Sequence, residues 1–419
     1  MLIKHGVMVN HVLKTGSDSW WKTLKGPQLS VEDDHCLVTF WWRDPAGTEQ
    51  TSSVRRVWLY ITGVTDHHQN AVPQSLQRVA GTDAWCWQLR MSPTWRGSYC
   101  FIPSGREDDF APAAFRPVPD AAALRAGWRH LLAHAQADPL NVHSWRGGRG
   151  HAVSALTLPQ APAQPGWQSQ PVTYTAPLEI EWRSEQLNNV RRVWIYTTGE
   201  HPAADRPLAI LLDGQFWAHS MPVWSALAAL TAANKLPAAV YLLIDAVDTT
   251  QRSQELPCNA SFWLALQQEL LPQVAAIAPF SDLPSRTLVA GQSFGGLAAL
   301  FAGLHWPERF GCVLSQSGSY WWPQRDGQQP GRLIQQLEQG ELQPRGLRIW
   351  LEAGIREPVI FHANQQLLRQ LQRLQQPVFW QEVDGGHDAL CWRGGLTAGL
   401  MQLWQPLLPT LANRNDDRR

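Results

Sequence analysis

The stretch from Arg286 to Leu304, RTLVAGQSFGGLAALFAGL, decides the fold. RTLVAG (286–291) reads as an apolar strand, and Gly295–Leu304 as an apolar helix joined to it by a turn dense in glycine. A strand running straight into a helix is half of a βαβ unit, and the same alternation continues on both sides. Upstream, EIEW and VRRVWIYTTG read as strands. LAILLD (208–213) is a strand before a helix starting at Pro222, a residue suited to a first helical turn. AAVYLLID (238–245) is a continuous apolar run, as in a strand buried on both faces, and 262–277 is helical. Downstream come the strand GCVLSQS (311–317), the strand LRIWLEAG (347–354), a helix over 361–374, the strand VFWQEVDGG (378–386) and a closing helix over 396–408. This order predicts a mainly parallel sheet with helices on both faces.

The preceding part has a different pattern. HCLVTFWWRD (35–44), SVRRVWLYITG (53–63), AWCWQLRM (84–91) and GSYCFIP (97–103) are short runs rich in Val, Trp, Tyr, Phe and Thr, separated by turn-forming clusters. With no helices between them, they predict an all-β, immunoglobulin-like sandwich. A helix is expected near 121–137. The Pro/Gln-rich LPQAPAQPGWQSQP (158–171) then reads as a linker. The predicted organisation is a sandwich domain with its extension over 1–157, the linker over 158–171, an α/β domain over 172–410 and a charged tail over 411–419. The phrase VRRVW-x-Y-x-TG occurs at 54–63 and at 190–199 and is read as two similar strands, not as a repeat.

Composition narrows the function classes. Lys+Arg 35 balances Asp+Glu 35, so the chain lacks the field that a non-specific nucleic-acid binder needs. No apolar run reaches the ~18 residues of a membrane span, and the start, MLIKHGVMVNHVLKTG, lacks the apolar core of a signal peptide. The scattered cysteines (Cys36, Cys86, Cys100, Cys258, Cys312, Cys391) suggest neither a disulfide framework nor a zinc site, and a cytoplasmic location is expected. The 23 Trp residues are expected mainly to fill cores, although each also offers a flat face for stacking.

Gly291-Gln292-Ser293-Phe294-Gly295 has the Gly-x-Ser-x-Gly layout of a nucleophile elbow. Ser293 is the candidate nucleophile, and the N-terminus of the following helix favours developing negative charge. A serine hydroxyl needs a base. Of the later histidines, His305 and His362 lie in predicted helices, whereas His387 lies on the loop VDGGHD after a strand. The acid is expected on a loop between the two. Glu357 is preferred to Glu352, which lies inside a strand, and Asp384, Asp388 or a Ser–His dyad remain open. The Phe294 and Gln215 backbone N–H groups are the candidate oxyanion hole. Asp213 is read as a cap or loop brace.

The motifs LLDG, IDAVDTTQRSQELPCNASFW, GQSFGG, SQSGSYWW and VDGGHD resemble the esterase D-like branch of the α/β hydrolases. Together with WWRDPAGTEQ, YITGVTDHHQN and RGSYCFIP, they resemble the enterochelin esterase family from about residue 18 to 407. The resemblance implies hydrolysis of the trilactone backbone of a catecholate siderophore, with iron entering only as part of the substrate and no cofactor or resident metal. A tris-catecholate complex is a large aromatic trianion, for which Trp faces and Arg guanidinium groups are suitable walls. Trp217, Arg252, Asn259, Trp321, Trp322, Arg356 and Trp392 flank the predicted strand ends and are the candidate binding residues. The sandwich, which has no elbow or His/acid pair, is expected to shape the substrate site. Another aromatic acyl ester, acyl transfer, or a catalytically dead binding protein are the competing readings.

Overall fold

The computed structural model describes residues 14–66, 71–105, 121–146, 150–167, 172–200, 202, 205–324 and 329–408. The charged tail expected over 411–419 lies outside them. The chain divides into two compact units, Met1–Gln160 and Ala161–Arg419.

The first unit opens with α1 (Asp18–Trp21), β1 (Gln28–Val31), β2 (Cys36–Arg43) and β3 (Arg56–Ile61). Short strands β4 (Gln74–Ser75) and β5 (Gln77–Arg78) lead to β6 (Ala84–Met91) and β7 (Arg96–Ser104). Helix α2 (Ala121–Leu132), β8 (Ser144–Arg146) and β9 (Ala152–Thr157) complete it. Every strand pairing is antiparallel, in two sheets ordered β1-β2-β6-β5 and β4-β3-β7-β9-β8. The alternation of β2 and β3 turns Val38, Phe40, Trp42, Val57, Leu59 and Ile61 into one core shared by both sheets. The opposite face of β3 and β7 (Trp58, Tyr60, Cys100, Ile102) is covered by Leu124, Trp128 and Leu131 of α2. The helix therefore ends at Leu132, short of the expected 137. Two strands, β8 and β9, lie between the expected helix and linker, where no element is expected. Leu158, the first residue of the expected linker, is buried in the first core.

The second unit carries one eight-stranded sheet. Its strands are β10 (Leu178–Ser184), β11 (Asn189–Thr197), β12 (Leu208–Leu211), β13 (Val240–Ile244), β14 (Thr287–Gln292), β15 (Cys312–Gln316), β16 (Arg348–Gly354) and β17 (Val378–Val383). The order is β10-β11-β13-β12-β14-β15-β16-β17. β10 and β11 are antiparallel, and β12 through β17 are parallel. The sheet is thus mixed at one edge, where a hairpin leads into the parallel part. The helices are α3 (Trp224–Ala232), α4 (Thr249–Glu255), α5 (Ala260–Ala265), α6 (Leu271–Ile277), α7 (Phe294–His305), α8 (Arg332–Glu338), α9 (Pro358–Arg373) and α10 (Ala389–Trp404). A π-helical turn, 266–270, joins α5 to α6 within the expected helix.

Alternate residues of the central strands face opposite helix layers. Ile210, Leu242, Val289, Val313 and Leu351 join α5, α7 and α9 residues in the largest core. On the other face, α10 lies so close that a Cβ on Gly399 would stand 2.7 Å from Leu314. Fourteen of the 23 Trp side chains are buried, seven of them (95, 128, 182, 194, 217, 263 and 404) among the largest fully buried groups, so most of the tryptophan serves packing. Among the described residues no helix is long and apolar enough to cross a membrane.

Candidate active site

The parallel strands deliver their carboxyl ends to one edge, where ligands bind in open α/β sheets. Ser293 follows β14 at φ 59° and ψ −119° and starts α7. This left-handed geometry is uncommon for a residue with a Cβ and is what an elbow requires. The turn closes because Gly291 has no side chain: a Cβ there would stand 2.3 Å from the Gly295 carbonyl. The Ser293 N–H donates to the Gln316 carbonyl at 3.0 Å, and the Ser293 carbonyl accepts from Ser319 N–H at 3.0 Å. Its Oγ lies 3.3 Å from Ser319 Oγ, with either hydroxyl able to donate. Ser319 is a site neighbour that the sequence reading missed.

His387 stands on the loop between β17 and α10. Its Nδ1 is 2.5 Å from Glu357 Oε2; because a carboxylate only accepts, the Nδ1–H donates, and in the neutral ring Nε2 is then the acceptor nitrogen. Glu357 precedes α9, and its side chain is fully buried. Its other oxygen, Oε1, accepts from Ser317 Oγ–H at 2.7 Å and from Gly354 N–H at 3.2 Å. The rival carboxylates are engaged elsewhere: Asp384 takes Arg356 Nε–H at 2.6 Å, and Asp388 caps α10 by accepting from Leu390 N–H at 2.9 Å.

Glu352, the strand carboxylate, is buried on β16 against α10. A Cβ on Gly395 would fall 1.7 Å from its Oε2. Burial pushes this carboxyl up to about 8; nearby Glu357 adds to the shift, and the bond from Gln316 partly offsets it. A hydrogen-bonded row crosses the strand ends: Trp217 Nε1–H to Gln292 Oε1 (3.1 Å), Gln292 Nε2–H to Gln316 Oε1 (2.9 Å), and Gln316 Nε2–H to Glu352 Oε1 (2.8 Å). Register sets it, since Gln292 pairs with Gln316 and Gln316 with Glu352.

The other sequence candidates have definite positions. Gln215 starts the π-helical turn 216–220, and its side-chain oxygen accepts from Ala246 N–H at 3.0 Å. Asp213 holds Arg252 by two bonds, at 2.6 and 2.8 Å, and the Arg252 guanidinium lies 5.7 Å from the Phe294 ring centre. Asn259 caps α5. Trp217 is buried. Trp321 is half-buried with its ring 5.8 Å from that of Phe294, and half-buried Trp322 is covered by Arg332 at 5.0 Å. Trp392 stands edge-on to the His387 ring, 4.7 Å away and at 87°. Among the described residues no group of three or more His, Cys, Asp or Glu side chains could hold a metal ion.

An elbow at the carboxyl edge of this sheet, with a hydrogen-bonded His–Glu pair on the segments that follow β16 and β17 at the same edge, defines an esterase of the α/β-hydrolase class. Two family models match: "Enterochelin esterase, N-terminal" over residues 37–167, and "Putative esterase" over 184–403. The chain is 64% identical to the iron(III) enterobactin esterase of Escherichia coli O6:H1 (strain CFT073), over 94% of this chain and 98% of that protein. It is similar to the crystal structure of ferric enterobactin esterase from Salmonella typhimurium, with a TM-score of 0.90 and 64% identity over 94% of this chain and all of that one. A Shigella flexneri enterobactin esterase structure, obtained in the presence of enterobactin, gives 0.88 and 62% over the same shares. The chain belongs to the enterochelin esterase family.

Proposed function

We propose that this chain hydrolyses the ester bonds of the trilactone backbone of a ferric enterobactin-type siderophore and so releases its iron inside the cell. The observation that carries the reading is the 64% identity to an iron(III) enterobactin esterase across nearly both chains, combined with the Ser293 elbow and the His387–Glu357 pair. In this mechanism Ser293 Oγ attacks the ester carbonyl while His387 Nε2 takes its proton. The Phe294 and Gln215 N–H groups stabilise the tetrahedral oxyanion. The departing serine hydroxyl of the lactone recovers the proton from His387. Water, deprotonated by the same imidazole, then frees the acyl group. Glu357 holds the imidazole and offsets its charge.

No metal or cofactor enters these steps, and iron arrives with the substrate. Trp321 and Trp322, half-buried aromatic faces, are the proposed contacts for the catechol rings. Arg252 and Arg356 are proposed to contribute cationic edges while held by Asp213 and Asp384. Trp217 and Asn259 are engaged in packing and capping, which favours supporting roles for both. The proposed location is the cytoplasm, and the first unit is proposed to be an immunoglobulin-like sandwich that shapes recognition. The test is product analysis with the iron-loaded cyclic trilactone: 2,3-dihydroxybenzoylserine and its linear oligomers should appear. Intact trilactone after prolonged incubation, with an unrelated aryl ester cleaved rapidly, would reject the substrate assignment.

A further inference from the structure

Resting on the proposed Ser293–His387–Glu357 set, we propose that Ser317 and Trp392 are positioning residues that fix the orientation and charge balance of the His387–Glu357 pair. Ser317 follows β15 at φ 47°, a left-handed conformation that glycine would adopt without strain. Its side chain is buried, and its N–H donates to the Glu352 carbonyl at 2.7 Å. The hydroxyl is used in both directions. It accepts from Trp392 Nε1–H at 3.0 Å and donates to Glu357 Oε1 at 2.7 Å.

A serine hydroxyl has one proton to give. The Trp392 N–H occupies the accepting side of Ser317 and leaves that proton pointing at the carboxylate. With Gly354 N–H also on Oε1, the remaining oxygen, Oε2, is left for His387. Trp392 reaches the other partner too, because its ring stands edge-on to the imidazole. One tryptophan thereby supports the base directly and the acid through Ser317. The strain at residue 317 is consistent with this: a glycine would relieve it, and the hydroxyl is what a glycine lacks.

The test measures the second-order rate at which a fluorophosphonate labels Ser293 in the full chain, from pH 5 to 9. Labelling needs neutral His387. Without the Ser317 hydroxyl the Glu357 charge is less offset and holds the imidazolium more tightly, so the acid limb should move to higher pH by roughly half to one unit. Among the described residues, the charged and titratable groups next to the pair in space or in sequence include Glu357 itself, Glu352 on β16, which interacts with Glu357, the Arg356–Asp384 pair, and Asp388 at the start of α10; all are retained in the variants. Ser317→Ala and Ser317→Gly should give the same displacement, although the glycine variant is free of backbone strain. Trp392→Phe keeps the ring and the serine, and should give a smaller displacement of the same sign. An acid limb at the wild-type position in the Ser317 variants overturns the proposal. So does a Trp392→Phe limb that stays in place or moves to lower pH. Undiminished labelling of Ser293→Ala would instead reject the nucleophile on which the proposal rests, and is distinguishable by that outcome.

Discussion

The two units differ in how they turn their chains. In the first, among the described residues, every left-handed position is a glycine: 16, 26, 47, 63, 81 and 150. In the second, four successive strands of the parallel sheet are each followed within three residues by a left-handed residue that is not glycine. These are Asp213 after β12, Val247 after β13, Ser293 after β14 and Ser317 after β15. A side chain in this region costs roughly 1–2 kcal/mol, and such costs persist where the side chain is needed or the surroundings impose them. Three of the four have visible uses: Asp213 binds Arg252, Ser293 is the proposed nucleophile and Ser317 serves Glu357. The first unit places glycine where it turns, and its buried polar groups brace structure, as Tyr99 does by donating to Asp138 at 2.6 Å. Four further left-handed residues of the second unit, Asn188, Asn234, Cys258 and Gln375, lie in turns away from these strand ends, so what distinguishes the working edge is the use its strained side chains are put to.

The sharpest way to break the comparison is at Ser293. Ser293→Ala should lower kcat by about 10⁴-fold or more, with siderophore binding retained, and His387→Ala should do nearly the same. The double variant should be no worse than either, because the two act as one unit. More than a tenth of wild-type turnover in Ser293→Ala, measured after titrating out trace wild-type enzyme, would remove the elbow from the mechanism. Glu357→Gln keeps the shape but removes the charge facing His387, and a loss of ~10²–10⁴-fold is expected. Asp384→Asn releases Arg356 and should cost less; a ranking reversed between these two would reassign the acid.

The first unit is tested by removing it. A fragment beginning at residue 161 retains elbow, base, acid and oxyanion loop, and should cleave a small activated ester through Ser293. Its kcat/KM on the iron-loaded trilactone should fall at least about tenfold further, equivalent to ~1.4 kcal/mol of lost recognition. Equal losses on both esters would deny the unit a part in substrate choice.

How far the site could be read from sequence follows from range. Ser293 was legible because the elbow is local: an apolar strand, crowding glycines and an apolar helix lie within 19 residues. His387 and Glu357 were reachable from chain order and loop position. Ser317 and Ser319 were not, since GCVLSQS reads as an ordinary strand and their side-chain partners, Glu357 before α9, Trp392 on α10 and Ser293 at the elbow, are distant in sequence. The same holds for β8 and β9. The three residues Ser144–Arg146 give no strand signal until β9 supplies their antiparallel partner, and β9 in turn pairs with β7. Helix α10 begins at Ala389, seven residues before the expected start, because Gly394 and Gly395 argue against a helix locally. The structure gives Gly395 its reason: the Glu352 carboxyl fills the space of its missing side chain.

Glu352 sharpens the contrast through pH. Its folded-state value, about 8, lies above the 4.5 of an ordinary glutamate. Between those values the folded chain binds the extra proton, so this group's contribution to stability is full below about pH 4.5 and is lost as pH rises through 8. Glu352→Gln keeps an acceptor for Gln316 and cannot ionise. The variant should match or trail wild type at pH 6 and exceed it in thermal midpoint at pH 9 by several degrees, at ~2–4 °C per kcal/mol for a unit of this size. Parallel midpoint curves from pH 5 to 9 would show that the carboxyl does not titrate in this range.

The smallest effect tests the difference in turns itself. Val247 is β-branched, at φ 67° and 43% exposed, and its backbone is held by an N–H bond to Asp245 Oδ1 at 2.9 Å. A β-branched residue in this region is a true outlier, and no side-chain partner explains it. Val247→Gly relieves the left-handed cost, gives back ~0.5–1 kcal/mol in chain entropy, and loses the contacts of a half-exposed side chain. The net expectation is a gain of up to about 1 kcal/mol, with turnover reduced as the edge loosens. The mirror experiment is Gly81→Ala in the first unit. Gly81 has φ 72° and open space around a Cβ, so the substitution meets no clash and should cost about 1 kcal/mol through backbone conformation alone. Opposite signs for the two substitutions, read from each unit's own unfolding transition, are what a strained edge and a relaxed scaffold require. A loss at both positions would mean that the Val247 side chain is held by packing, and that strain does not distinguish the two units there.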